Sequence, residues 1–90
     1  MARTRVVEGK VFNPDGNPCA NAVVYLQDEK SREVKTYVTE ADGKFRFSQL
    51  SMNSDFQLWA QYQNLKSKTK GISSFSSRTD FVFELKLAPA

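Results

Sequence analysis

The stretch Phe81-Val82-Phe83-Glu84-Leu85-Lys86-Leu87 alternates large apolar residues with mostly charged ones. Successive side chains of a strand point to opposite faces. Phe81, Phe83, Leu85 and Leu87 therefore share one face, and Val82, Glu84 and Lys86 share the other. A row of that kind is a strand lying half in a core and half in water. The same parity recurs towards the N-terminus. It selects Val7, Gly9 and Val11, then Ala22, Val24 and Leu26, then Phe45 and Phe47, then Phe56, Leu58 and Ala60 as inward sets. Turn signals separate the runs: Asn13-Pro14-Asp15-Gly16-Asn17-Pro18, the charged stretch Asp28 to Glu33, and Glu40-Ala41-Asp42-Gly43, whose glycine suits a positive φ in a tight hairpin.

Seven strands follow: Val6–Phe12, Ala22–Gln27, Val34–Thr39, Lys44–Phe47, Asp55–Tyr62, Leu65–Phe75 with a bulge near Gly71, and Phe81–Leu87. Ser48 to Ser54 reads as a polar loop with Leu50 as an inward anchor, and no helical period of useful length is present. Short strands at this spacing predict an all-β, seven-stranded Greek-key β-sandwich of immunoglobulin-like type. The 90 residues suffice for one such domain, with residues 1–4 and 88–90 expected as loose ends.

The residues resemble a known family. One half of the likeness lies in Val7-Glu8-Gly9-Lys10-Val11, Pro14-Asp15-Gly16-Asn17-Pro18 and Asn21-Ala22-Val23-Val24. The other half lies in Thr39-Glu40-Ala41-Asp42-Gly43-Lys44-Phe45-Arg46-Phe47, Leu50 and Phe56-Gln57-Leu58-Trp59-Ala60. Together they are similar to the carboxypeptidase regulatory-like domain, a transthyretin-like (prealbumin-like) sandwich. The loop Ser51-Met52-Asn53-Ser54-Asp55 departs from the pattern, as does Cys19. The resemblance implies an accessory, non-catalytic unit of a larger exported or envelope-associated protein, without catalytic residues of its own.

The residue inventory points the same way. Histidine is absent, which removes the commonest general base, the Ser/His and Cys/His pairs and most zinc sites. The four glycines are scattered singly, so no phosphate-binding loop is present. A single cysteine excludes an internal disulfide, and Cys19, beside Pro18, is expected to be a buried and inert small hydrophobe. Asp15 and Asp42 each precede a glycine and are expected to serve their turns rather than a cation. No catalytic residue, cofactor or metal ligand is assigned, and the chain is expected not to be an enzyme.

Two groups remain as candidate binding residues. Trp59 falls on the outward parity with Gln57 and Gln61, and a neighbouring strand would bring Tyr25 beside it. That face suits a protein partner or a sugar ring. Lys66, Lys68 and Lys70 recur at every second position and form a candidate anion stripe, with Lys35 or Arg46 as potential neighbours; the plainer reading is an edge strand defended by lysines. The net charge of +3 is too small and too unaccompanied by aromatics to suggest nucleic acid. No apolar run approaches the ~20 residues of a membrane helix, so direct membrane insertion is not expected, and Met1 to Arg5 carries no apolar leader segment. The expectation is a non-catalytic structural or interaction module that meets neighbouring domains or another protein. A carbohydrate-binding module around Trp59 and an adaptor offering a sheet edge are the alternatives. The sequence leaves the oligomeric state open.

Overall fold

The computed structural model describes residues 3–89 and is all-β. The strands are β1 (Thr4–Phe12), β2 (Val23–Asp28), β3 (Val34–Val38), β4 (Lys44–Ser51), β5 (Phe56–Tyr62), β6 (Leu65–Ser67), β7 (Lys70–Ile72) and β8 (Asp80–Pro89). Their hydrogen-bonded order is β3-β2-β5-β6-β8-β1-β4, with β7 also beside β5. The path folds over into two facing leaves, β4-β1-β8 and β3-β2-β5-β6/β7, and is nearly closed. The ring of Tyr37 on β3 meets the edge of Phe47 on β4, with centroids 6.1 Å apart, where the two ends come together.

The inward sets pack between the leaves. Val7, Val11, Phe45, Phe47, Phe81, Leu85 and Leu87 come from the first leaf, and Val24, Leu26, Phe56, Leu58 and Ala60 from the second; all are buried. Gly9 and Phe83 are only half-buried, although their parity is inward. Gly9 lies directly opposite Phe83 in the parallel β1–β8 pair. A Cβ there would lie 1.8 Å from the Phe83 carbonyl oxygen. Glycine at that position thus allows the two strands to approach.

Four expectations are corrected. There are eight strands, because the expected strand over Leu65–Phe75 is broken. Gln61 pairs with Lys66 and Leu58 with Lys70, so the register slips by one residue between β6 and β7. Ser67 fills the break: its buried hydroxyl accepts from the Ala60 amide at 2.8 Å and donates to the Lys68 carbonyl at 3.1 Å. The bulge therefore lies around Lys68 rather than at Gly71.

The turn at Glu40–Gly43 is not a hairpin turn, since β3 pairs with β2 and β4 with β1. It carries the chain from one leaf to the other. Gly43 takes φ +78° as expected, and its carbonyl accepts the Val11 amide at 2.9 Å, tying the crossover to β1.

Strand β4 continues through the expected loop to Ser51. Its register with β1 shifts between Arg5 and Val7, with Gln49 at φ +57°. This bulge turns Leu50 inward, three residues after the inward Phe47, which simple alternation forbids. Lastly, Thr4, Ala88 and Pro89 belong to strands rather than loose ends; Met1, Ala2 and Ala90 lie outside the described residues.

Arg5, which shares the inward parity of Val7, is completely buried opposite Leu50. Its Nη1 donates to the Ser54 carbonyl at 3.3 Å, and its Nη2 donates to the carbonyls of Ser73 and Ser76 at 2.9 and 2.8 Å. One buried guanidinium thus holds the β4–β5 and β7–β8 connections together. Its Nε has no partner.

Gly9→Ala should destabilise the fold by about 3 kcal/mol in urea unfolding, because backbone rather than a flexible side chain must yield. Gly71→Ala, with open space around its Cβ, should change stability by less than about 1 kcal/mol. Arg5→Met, which keeps the buried aliphatic stem, should cost about 2 kcal/mol and speed amide exchange over residues 73–78. Arg5→Lys should fail to restore protection there, since one ammonium cannot reproduce the planar fork.

Candidate functional site

The antiparallel β2–β5 register sets Val23 opposite Gln61, Tyr25 opposite Trp59 and Gln27 opposite Gln57. The four residues Trp59, Tyr25, Gln57 and Gln61 therefore meet on one outer face. The Tyr25 and Trp59 rings are stacked, 5.4 Å between centroids and 13° from parallel. On the other side of β5, the Lys66 ammonium lies 5.9 Å from the indole centroid. Trp59 is half-buried, with Tyr25 against it from one side and Lys66 from the other. Stacking of this kind braces the sheet and leaves the ring edges, rather than an open face, for a ligand. The face extends to β3, where Val38 is opposite Val23 and Thr36 opposite Tyr25. Val34 and Val38 there are 48% and 58% exposed, and β3 pairs with β2 alone.

The lysine stripe is rearranged by the bulge. Lys66 follows Gln61 outward, whereas Lys70 lies opposite the inward Leu58. The three lysines do not form a straight row on one sheet face. They still line a single open groove of about 650 Å³, where Lys86 joins them from β8. Neither Lys35 nor Arg46 is there: Lys35 lies on the β3 edge, and Arg46 faces Glu8 at 3.6 Å. Strand β6 pairs with both β5 and β8, so Lys66 does not guard a sheet edge. Lys86 could not be linked to the stripe from sequence, because its neighbour across the groove is set by sheet order alone.

Chemically competent groups elsewhere are engaged structurally. Asp15 Oδ1 accepts the Asn17 amide at 3.0 Å and Asp42 Oδ1 the Lys44 amide at 3.1 Å, each closing its own turn. Among the described residues no three of His, Cys, Asp and Glu cluster as metal ligands do. Cys19 is buried beside Thr39, whose hydroxyl accepts the Ala22 amide and donates to the Cys19 carbonyl. Burial pushes the thiol above its ordinary pKa, opposite to the shift that makes a thiolate reactive. The native protein should therefore react with a thiol-specific disulfide reagent at pH 8 at least about 100-fold more slowly than the urea-unfolded chain; equal rates would show an accessible thiol. Sequence parity also missed Phe75, which the Arg5-held connection presents 97% exposed; a lone aromatic among serines was its only signal.

Solved structures with this fold include catechol 1,2-dioxygenase from Acinetobacter, at 13% identity and a TM-score of 0.70, covering 98% of this chain and 53% of that one. A 3-chlorocatechol 1,2-dioxygenase from Rhodococcus opacus matches at 9% identity and a TM-score of 0.70, covering 100% of this chain and 61% of that one. Catechol 1,2-dioxygenase from Pseudomonas arvilla matches at 12% identity and a TM-score of 0.63, covering 99% and 54%. The chain thus spans between half and two thirds of these proteins, and at such identities the likeness concerns the fold alone. No protein of curated function matches the sequence. The model of the carboxypeptidase regulatory-like domain matches residues 6–86, from Val6 in β1 to Lys86 in β8, and the chain belongs to that family.

Proposed function

We propose that this chain is a non-catalytic interaction module of a larger exported or cell-envelope protein, built on a transthyretin-like, Greek-key form of the sandwich. It meets a protein neighbour with the outer face and free edge of β3-β2-β5. The observation that carries this reading is the pair of exposed valines, Val34 and Val38, on a strand with one unpaired edge. They adjoin a face already stiffened by the Tyr25–Trp59 stack. An unpaired edge with exposed apolar residues is a pairing surface that proteins normally cover, and strand addition is one way of covering it. Family membership supports a supporting rather than a chemical role.

A carbohydrate-binding reading rests on the amides of Gln57 and Gln61 flanking Trp59. It ranks second because Tyr25 and Lys66 lie against the indole from both sides.

Amide hydrogen exchange tests the first reading in the intact natural protein. The amides of residues 34–38 should exchange at least about tenfold more slowly there than in the 90-residue chain, and acrylamide should quench Trp59 less. Equal exchange in both, or a natural chain bounded by Met1 and Ala90, would overturn it. Glycan-array binding that Trp59→Ala abolishes would favour the second reading instead.

A further inference from the structure

The groove that gathers Lys66, Lys68, Lys70 and Lys86 lies away from β3, at the point where β8 leaves β1 for β6. Its charge is lopsided. Of its lining residues four are lysines and only Glu84 is acidic. The ion pairs among the described residues, Lys44–Asp42 and Arg46–Glu8, lie elsewhere. Clustered like charges repel one another, so such a groove gains when an anion enters it.

Backbone geometry narrows the class of anion. Among the described residues strand β7 pairs with β5 alone, so the other edge of Lys70–Ile72 has no strand partner there. Pro14, Ala88 and Pro89 give the groove apolar walls, while Leu85 and Leu87 border it with their side chains buried in the core. A strand lying there would direct alternate side chains to the lysines and to the apolar walls. No aromatic ring lines the groove, which removes the stacking platform that single-stranded nucleic acid uses. No arginine lines it either, so the planar fork suited to phosphate is missing.

We propose that this groove binds an extended acidic peptide segment, which adds along the open edge of β7 while its carboxylates meet the four lysines. This groove lies away from β3 and shares only Lys66 with the Trp59 face, so variants at Lys70 and Lys86 test it apart from the β3 reading.

The probe is a fluorescein-labelled decapeptide of alternating Glu and Val, titrated into the full chain and followed by anisotropy. Binding should appear at low salt and weaken as salt rises. Lys70→Glu combined with Lys86→Glu should lower affinity at least about tenfold, whereas the charge-matched Lys30→Glu with Lys35→Glu should change it less than about twofold. If the first pair fails to fold, Lys70→Gln with Lys86→Gln takes its place, with an expected loss of about threefold or more. In the complex, the amides of Lys70–Ile72 should exchange more slowly. Equal loss in both charge-reversal pairs would mean attraction to net charge alone. That result, unchanged exchange on β7, or tighter binding of a heparin hexasaccharide or a single-stranded oligonucleotide at the same lysines would overturn the proposal.

Discussion

Strand β8 changes partner between Lys86 and Leu87. Over Asp80–Lys86 it runs parallel to β1, and over Leu87–Pro89 antiparallel to β6. This one exchange joins both leaves into a single hydrogen-bonded system. It depends on the close approach at Gly9, where the Phe83 carbonyl occupies the place of a side chain. The inward residues Leu85 and Leu87 lie on either side of the exchange and are completely buried, so the core is sealed where the ladders part. The groove on the outside is the other consequence, because β8 and β7 diverge there with no strand between them.

Two bulges make the remaining adjustments. The one in β4 moves Leu50 inward, opposite the buried Arg5. Burying a guanidinium without a carboxylate is costly unless its protons find acceptors. Three loop carbonyls supply them, two from the connection that carries Phe75. The bulge between β6 and β7 sends Lys66 to the Trp59 face and Lys70 towards the groove. One extra residue therefore divides a lysine series between two surfaces, with Lys66 serving both.

The likeness to dioxygenases and the membership of a regulatory-like family are compatible, because a sandwich is a scaffold that specifies no chemistry. This chain has no histidine, and its acidic turn residues are taken up by neighbouring amides. What distinguishes its surface is mechanical and electrostatic: a braced aromatic pair, an open edge with two valines, and a groove lined by four lysines.

Alternation along Val7–Val11, Val24–Leu26, Phe56–Ala60 and Phe81–Leu87 determined the strands and nearly all of the core, since a half-buried strand writes its burial into its own period. Gly43 likewise announced its turn, and the outward parity of Trp59 placed it with Gln57 and Gln61. Strand partners were another matter. That β3 and β4 belong to different leaves, that β8 serves both, and that Lys86 and Lys70 line one groove depend on which strands lie side by side, and no local pattern encodes that. The burial of Arg5 was hidden for a related reason: it shares the inward parity of Val7, but a charged group is buried only where acceptors meet it, and Ser54, Ser73 and Ser76 lie 49 or more residues away along the chain.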